Sequence, residues 1–170
     1  MIAVVSACLL GMRCRFDLKD VSLRPLLKVD DLIPVPICPE QLGGLPTPRK
    51  RCEIVGGDGF DVLNGKARVL TVDGEDVTEN LLIGAKEALK VVKIVGAELA
   101  IMRDGSPSCG CGTIYDGTFS GRRVRGYGVT SAFLSENGVR VVEANNFITL
   151  RKLAKGDAHG GSEQDHHVVR

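Results

Sequence analysis

The chain has 170 residues, 44% of them hydrophobic and 25% charged, which suits one globular domain with a core and would be cramped for two. A net charge of +1 and an aromatic content of 4% argue against a nucleic-acid partner, because they supply neither a basic field nor stacking platforms. No apolar run reaches the ~20 residues of a membrane span and no basic start marks a secretory signal, so we expect a cytoplasmic protein without a membrane partner.

The start of the chain predicts two strands. Residues 2–7 form a short apolar, partly β-branched run, which is typical of a buried strand. Residues 22–30 are weakly helical, and Pro25 fits only in a first turn. Residues 32–38 read LIPVPIC and predict a strand at an edge, or one whose proline positions face no partner, because proline cannot donate to a neighbouring strand.

The middle of the chain predicts a β-hairpin followed by a long helix. The segment 60–72 contains Asn64-Gly65 between two apolar runs, which is the strongest hairpin signal in the sequence. Apolar residues then recur at helical spacing over residues 78–95, and Thr78 is expected to cap this helix.

The last part of the chain predicts two more strands and a helix. Residues 98–102 form a core strand, and residues 103–121 form a loop dense in Gly, Ser, Pro and Cys. A helix over 129–136 and a strand over 139–144 follow. Residues 151–170 are polar, and we expect them to form a disordered tail.

Strands that alternate with helices predict an α/β fold. We expect a single three-layer domain over residues 1–150, with a mostly parallel sheet, helices on both faces and a small β-hairpin insertion. Ligands of such sheets bind beyond the carboxyl ends of the strands. Cys8 follows the first strand, Cys38 ends the second, and Cys109 lies in the loop after 98–102. The predicted topology therefore brings these three cysteines to one edge of the sheet.

Six cysteines without a sign of secretion favour metal, redox or core roles over disulfides. A cysteine-phosphatase loop would need Arg six residues after the nucleophile, but Cys14 stands at that offset from Cys8. A structural zinc site would need two well-spaced pairs, whereas Cys109 and Cys111 are too close and the histidines are confined to the tail. An iron–sulfur cluster suits soft thiolates on loops rich in Gly and Pro, although spacing alone does not specify it.

Five segments carry motifs that occur together. They are VSACLLGMRCRFD (5–17), ICPEQLGGLPTPR (37–49), GEDVTENLLIGA (74–85), DGSPSCGCGTIYDGTFSG (104–121) and GYGVTSAFLSENGVRVVE (126–143). In this order they resemble a bacterial family that was long catalogued as a domain of unknown function and that includes the thiouracil desulfidases. The resemblance covers roughly residues 2–145 as one domain.

The resemblance implies an α/β fold and a [4Fe-4S] cluster held by three cysteines. By motif these are Cys8 of SACLLG, Cys38 of CPE and Cys109 of SPSCG. Glu40 of CPE and Ser106 of SPSC match family positions with catalytic roles. The implied function is a [4Fe-4S]-dependent desulfidase that removes sulfur from a thiolated pyrimidine of the thiouracil type as sulfide, without net redox change. The substrate sulfur would bind the iron that has no protein thiolate.

The other cysteines receive simpler interpretations. Cys14 of the CRFD motif is expected close to the cluster ligands without being one, Cys52 is expected to be inert, and Cys111 is expected to be a small loop residue.

Two alternatives for the predicted catalytic residues stay open. Glu40 could pair with Arg49 or Arg51 as an ordinary loop carboxylate, and Ser106 could form a local turn before Pro107.

Three functions remain to be distinguished. The first is the desulfidase, whose partner would be a small-molecule thiolated base or nucleotide. The second is a non-catalytic iron–sulfur binding or sensor protein. The third, insertion of sulfur into a base, usually needs an ATP-binding loop, and the sequence contains no GxxxxGKS or GxxxxGKT.

Overall fold

The computed structural model describes residues 1–159, which contain eight strands and five α-helices. The strands are β1 (Ile2–Ser6), β2 (Ile33–Ile37), β3 (Cys52–Val55), β4 (Arg68–Thr71), β5 (Leu99–Met102), β6 (Cys111–Tyr115), β7 (Arg123–Tyr127) and β8 (Arg140–Glu143). The helices are α1 (Pro39–Leu42), α2 (Gly59–Leu63), α3 (Thr78–Val95), α4 (Val129–Glu136) and α5 (Ala144–His159). Two 3₁₀ turns, Ala7–Leu10 and Arg24–Lys28, lie between β1 and β2.

A four-stranded parallel sheet with the order β2-β1-β5-β8 forms the centre of the fold. β2 lies beside β1 on one edge of it, and β5 lies beside β1 on its opposite edge. The direction in which strands are added to the sheet therefore reverses between β1 and β5. β2 is an edge strand, and Pro34 and Pro36 pair in register with Ala3 and Val5. The predicted parallel sheet and edge strand are confirmed.

Side chains of the sheet alternate between two apolar layers, as a period of two requires. Val4 and Ala100 pack on one face against α3 and α4, whose core residues there are Ala88, Leu89, Val92 and Leu134. Val5 and Ile101 pack on the other face against the Arg24–Lys28 turn and α5, whose core residues there are Leu26, Ala144, Phe147 and Ile148. The predicted three-layer arrangement with helices on both faces is confirmed.

The predicted hairpin over 60–72 is wrong, because its first half is helix α2. Asp58 accepts hydrogen bonds from the N–H groups of Phe60 and Asp61, and Asp61 accepts one from Asp58 in return. This capping box starts a helix that Asn64 ends. β4 instead pairs antiparallel with β3, so the small β insertion is present with a different first strand.

Helix α3 spans the predicted residues, but Thr78 does not cap it. The Thr78 hydroxyl oxygen accepts a hydrogen bond from the Val69 N–H at 2.9 Å, and Asp76 accepts one from the Thr78 N–H at 2.9 Å. Thr78 therefore joins the start of α3 to β4 instead of satisfying the helix's own N–H groups.

Two further elements differ from the prediction. The predicted loop 103–121 contains β6, which forms an antiparallel pair with β7. Helix α5 is not among the predicted elements, and it extends beyond the predicted domain boundary at 150, so residues 151–159 of the predicted tail are helical. The rest of the predicted tail, 160–170, lies outside the described residues.

No helix within residues 1–159 combines the length and apolar character that crossing a membrane requires.

Candidate functional site

A cavity of about 480 Å³ opens at the carboxyl edge of the parallel sheet. Its lining includes all five residues singled out by the resemblance, namely Cys8, Cys38, Glu40, Ser106 and Cys109. Cys8 lies in the 3₁₀ turn after β1, Cys38 follows β2 directly, and Cys109 lies in the loop after β5. The fold thus brings together residues from three distant segments, beside the point where the sheet order reverses.

Cys14 is a further thiol of this cavity. Its side chain hydrogen-bonds the side chains of both Cys8 and Cys38. The Cys38 thiol also donates to the Cys14 carbonyl oxygen at 3.8 Å. Cys52 lines the cavity as well, whereas Cys111 lies in β6 and does not. Five of the six cysteines therefore line the cavity, and Cys14 contacts two of the three predicted cluster ligands.

The loop that carries Cys109 is docked on the N-terminus of α4. The first three N–H groups of α4 donate to the carbonyl oxygens of Pro107 and Ser108 at 2.8 to 3.2 Å. A Cβ atom on Gly128 would lie 2.5 Å from the Ser108 carbonyl, so only glycine allows this approach. The amides of this helix end are thus used to fix the position of the cysteine loop.

Ser106 stabilises the same loop from inside. Its hydroxyl oxygen accepts hydrogen bonds from the N–H groups of Ser108 at 3.1 Å and Cys109 at 3.0 Å. The local turn that was one of its two interpretations is therefore present. Both bonds use the oxygen as acceptor, so the hydroxyl proton stays free to be donated into the cavity that Ser106 lines.

Glu40 is paired with Arg49 in the wall of the cavity. The Arg49 Nε donates to Glu40 Oε2 at 2.6 Å, and Nη2 lies 2.5 Å from the same oxygen. The side chains are only 7% and 11% exposed, respectively. Burial by itself lowers the pKa of Arg49, but the adjacent Glu40 carboxylate outweighs it and raises the pKa above its usual value. Pairing with Arg49, the alternative interpretation of Glu40, is thus observed, and it leaves Oε1 without a donor among residues 1–159.

Helix α1, which carries Glu40, is held against α3 by a close backbone contact. A Cβ atom on Gly84 of α3 would overlap the carbonyl oxygen of Pro39. The Asn80 side chain of α3 donates to the Gly43 carbonyl oxygen at 2.9 Å. These contacts fix α1 and, with it, the position of Cys38 at its N-terminal end.

The cavity wall carries more positive than negative groups. Its cations are Arg15, Lys19, Arg49, Lys50, Arg51, Arg103 and Arg123, and its carboxylates are Asp17, Glu40 and Asp104. Arg15 pairs with Asp17, whereas Arg103 and Arg123 form no ion pair with a carboxylate of the described chain. Burial, followed by the nearby Arg15 and Arg123, lowers the pKa of Arg103. An anionic group would therefore be stabilised at this wall.

The cavity thiols differ in acidity without any metal. The hydrogen bond from Cys14 lowers the pKa of Cys8. The hydrogen bond to Cys14, together with burial, raises the pKa of Cys38 above its usual range. Burial raises the pKa of Cys109 to about 12, although a hydrogen bond from Ser6 opposes that shift. Two of the three thiols thus hold their protons at neutral pH until a metal displaces them.

The arrangement of the thiols suits a polynuclear cluster better than a single ion. No three His, Cys, Asp or Glu side chains within residues 1–159 are grouped closely enough to hold one metal ion. In a cubane each cysteine binds a different iron, so three thiols around a cavity need not meet at one point. A zinc site therefore has no support in the described chain, and His166 and His167 lie outside it.

A phosphatase-type loop also finds no support. Arg13 and Arg15 flank the required offset from Cys8: Arg13 is exposed and does not line the cavity, and Arg15 lines it but is paired with Asp17.

The chain is similar to known proteins in both sequence and structure. The sequence model of the 2-thiouracil desulfurase family matches residues 3–146. The chain belongs to this family. A relative in Bacillus subtilis (strain 168), the uncharacterized protein YbbK, is 47% identical over 143 residues, which are 84% of this chain and 95% of the relative. The solved structure of the [4Fe-4S]-dependent thiouracil desulfidase TudS matches this family member with a TM-score of 0.74 and 35% identity, covering 92% of this chain and 97% of TudS.

Some residues of this desulfurase-family site have no signal in the sequence alone. Arg103 directly follows β5 and lies outside the five motifs, and Ser6 belongs to SACLLG without an assigned role, yet both line the cavity. The sequence alone identifies Arg49 only as one of two alternative ion-pair partners of Glu40. That Arg49 also donates to the Cys14 carbonyl oxygen at 3.0 Å depends on the folded positions of three loops.

Proposed function

We propose that this chain holds a [4Fe-4S] cluster on Cys8, Cys38 and Cys109 and removes sulfur from a thiolated pyrimidine as sulfide. The observation that carries the proposal is the convergence of these three thiols, with Glu40, around one cavity in a chain of the 2-thiouracil desulfurase family. The similar structure is that of a [4Fe-4S]-dependent thiouracil desulfidase, which supports the same cofactor and substrate class here.

The cluster, when bound, would supply an iron without a protein thiolate, which acts as a Lewis acid for a soft thiocarbonyl sulfur. The net reaction exchanges C=S for C=O: water adds its oxygen to the carbon, and the sulfur leaves as hydrosulfide. No electron is gained or lost, so the chain needs no redox partner for turnover.

Glu40 is the group that would take the proton from the attacking water. Arg49 holds Oε2, which fixes the orientation of the carboxylate. Oε1 has no donor in the described chain and remains available to accept a proton from water.

Ser106 would act on the substrate as a hydrogen-bond donor. Its oxygen is fixed by two backbone N–H groups, so the direction of the remaining O–H is restricted. A positioned hydroxyl of this kind can bind a ring nitrogen or orient the water.

The substrate is a thiolated free base or its nucleotide. Arg103 and Arg123, the cavity arginines without an acidic partner in residues 1–159, favour a substrate that carries an anionic group. Nucleotides therefore belong in the assay beside the free bases. The cytoplasmic location and the absence of a nucleic-acid partner stay predictions from the sequence.

Anaerobic reconstitution with iron and sulfide, followed by a sulfide-release assay, tests the proposal. The substrates are 2-thiouracil, 4-thiouracil and their 5′-monophosphates. Replacing Cys8, Cys38 or Cys109 by Ser should abolish cluster assembly and sulfide release. Cys111→Ser is the matched control, because Cys111 lies two residues from Cys109 and outside the cavity. Full activity of a ligand variant would contradict the assignment.

The same assay separates the enzyme from a non-catalytic sensor. A sensor needs only the cysteines that bind its cluster. Glu40→Gln would therefore leave both the cluster and the response of a sensor unchanged. We expect Glu40→Gln to keep the absorbance of the cluster and to lose sulfide release by at least about 100-fold, the usual contribution of a general base. A fully loaded protein that releases no sulfide from any of the four compounds would favour the sensor.

A further inference from the structure

Phe16 is an aromatic residue of the cavity wall to which the proposed function assigns no role. It lies in the loop after β1, two residues beyond Cys14, and it is half-buried. It belongs to none of the three apolar clusters that form the core within residues 1–159. A large apolar side chain normally gains its stability by packing into such a cluster. The Phe16 ring therefore adds apolar surface to the cavity and not to the core.

One face of the Phe16 ring is covered by Arg15. The guanidinium carbon of Arg15 lies 4.8 Å from the centroid of the ring. Asp17 holds this guanidinium, because Nε donates to Oδ1 at 2.5 Å and Nη2 donates to Oδ2 at 3.1 Å. A guanidinium fixed in this way keeps its own face of the ring covered. The opposite face is therefore the one that a bound molecule can contact.

The backbone around Phe16 is fixed relative to the predicted base. The Arg49 N–H donates to the Phe16 carbonyl oxygen at 3.0 Å, and Arg49 Nη1 donates to the Cys14 carbonyl oxygen at 3.0 Å. The same guanidinium holds Glu40 Oε2 at 2.6 Å. A flat molecule lying on the Phe16 ring would thus have its plane set relative to Glu40. A reaction at one carbon of a ring requires such an orientation.

Tyr115 is a second aromatic residue of the cavity wall, and it supports a cation. The guanidinium carbon of Arg123 lies 5.1 Å from the centroid of the Tyr115 ring, and Nη2 donates to the Tyr115 hydroxyl at 3.5 Å. A Cβ atom on Gly105 would lie 2.7 Å from Arg123 Nη2, so the guanidinium also packs against this backbone. The Tyr115 ring therefore helps to fix the position of Arg123.

The two aromatic residues differ in the charge beside them. Asp17 compensates the charge of Arg15, whereas Arg123 has no carboxylate partner within residues 1–159. The Tyr115 part of the wall is thus positively charged and suits an anionic group. The Phe16 part combines an aromatic ring with a compensated ion pair, which suits an uncharged flat heterocycle.

We propose that the pyrimidine ring of the substrate stacks on Phe16, on the face of the ring opposite to Arg15. The inference rests on the proposed function, because it takes a thiolated pyrimidine as the substrate. Every pyrimidine has a π-face that can stack on an aromatic side chain, whichever oxygen is replaced by sulfur. Phe16 is accordingly a binding residue that selects planar rings and takes no part in the transfer of protons or sulfur.

The test compares the binding of uracil and 5,6-dihydrouracil to the reconstituted holoprotein by isothermal titration calorimetry. Dihydrouracil keeps both carbonyl and both N–H groups of uracil but has lost the planar aromatic ring. The native protein should bind uracil at least about fivefold more tightly, the lower end of the contribution of a base–aromatic stack. Phe16→Leu and Phe16→Met, which keep an apolar side chain without a ring, should bring the ratio of the two dissociation constants close to one. Phe16→Tyr should keep the native ratio.

Tyr115→Leu is the matched control, because it removes the other aromatic ring and should leave the ratio of the dissociation constants as in the native protein. A ratio near one in the native protein, or no binding of either compound, would overturn the inference. So would a native ratio in the Phe16→Leu and Phe16→Met variants, or a ratio that is lost only in Tyr115→Leu.

Sulfide release from 2-thiouracil and 4-thiouracil, measured on the same preparations, tests the proposed function separately. A native protein that prefers uracil through Phe16 but releases no sulfide would overturn the proposed function and not the stacking. A native protein that releases sulfide, with a ratio that Phe16→Leu leaves unchanged, would overturn the stacking alone.

Discussion

Arg49 holds Glu40 through a single carboxylate oxygen, with Nε at 2.6 Å and Nη2 at 2.5 Å from Oε2. The same guanidinium donates to the carbonyl oxygens of Cys14 at 3.0 Å and Pro46 at 3.2 Å. The Arg49 backbone N–H donates to the Phe16 carbonyl oxygen at 3.0 Å. One side chain thus links the loop after β1, helix α1 and the segment before β3, and it fixes the predicted base relative to two cysteine-bearing segments.

Removing Arg49 should therefore destabilise the fold strongly. Arg49→Leu leaves Glu40 as a buried carboxylate without a partner, and breaking a buried pair in this way costs about 3–5 kcal/mol. Urea denaturation of the cluster-free protein measures the free energy of unfolding. Lys50→Gln is the control, because its pair with Asp73 is exposed and should contribute little. Equal stability of the two variants would contradict a structural role for the buried pair.

Gly128→Ala should displace the loop that carries Cys109. The added Cβ would lie 2.5 Å from the Ser108 carbonyl, so either the loop or the start of α4 must move. Overpacking of this kind costs about 1–3 kcal/mol, and we also expect the cluster content after reconstitution to fall. In Gly112→Ala the new Cβ would meet Asp104 at 3.6 Å, an ordinary contact, so this variant should keep its cluster. Normal iron content in Gly128→Ala would show that the loop tolerates the shift.

Ser106→Ala should destabilise the loop that carries Cys109 by removing two hydrogen bonds. It removes the acceptor for the N–H groups of Ser108 and Cys109, and each buried N–H left unsatisfied costs about 1–3 kcal/mol. We expect loss of sulfide release together with a lower thermal midpoint, measured by circular dichroism. Ser106→Thr keeps the hydroxyl and should recover the thermal midpoint. Full stability of Ser106→Ala would mean that water replaces the lost acceptor.

Cluster assembly should become more favourable as the pH rises. Hydrogen bonding and burial raise the pKa of Cys38, and burial raises the pKa of Cys109 to about 12, so both thiols are protonated at neutral pH in the cluster-free protein. Iron binds the thiolate, so loading must release these protons. Proton release during reconstitution, followed with a pH indicator in weak buffer, measures this directly.

The stability of the cluster-free protein should change with pH in the opposite direction to cluster assembly. Both thiols have a higher pKa in the folded chain than in the unfolded one, so the stability that they contribute is complete below the unfolded pKa and is lost as the pH rises towards the folded pKa. The cluster-free fold should therefore weaken in alkaline solution, where assembly is most favourable. Cys111→Ser is the control for assembly, because burial also raises the pKa of Cys111 but Cys111 is not one of the proposed ligands.

The parallel sheet could be predicted because β1, β2 and β5 are short runs rich in apolar residues. The hairpin at Asn64-Gly65 could not, because the same dipeptide also ends a helix: Asn64 caps α2, and Gly65 turns the chain with a φ of 72°. The aspartates at 58 and 61 were the competing signal, since a capping box specifies a helix start. Two local signals overlapped, and the packing of Val62 into the core decided between them.

The topology predicted from the sequence brings the site residues to one edge of the sheet. It does not predict which groups form hydrogen bonds with them. Cys8, Cys38 and Cys109 follow strand ends, which the sequence shows directly. The contacts of Cys14 with Cys8 and Cys38 depend on the course of loops, which apolar periodicity does not describe.

The reversal of strand order between β1 and β5 also determines when the site can exist. Cys8 and Cys38 are synthesised early, but the third thiol follows β5, and β5 must insert beside β1 before its loop reaches the α4 N-terminus. The cavity lining extends to Arg123, and the loop that carries Cys109 is fixed by the first turn of α4. We therefore expect cluster loading only after α4 has been synthesised, and a chain truncated before α4 should not retain iron.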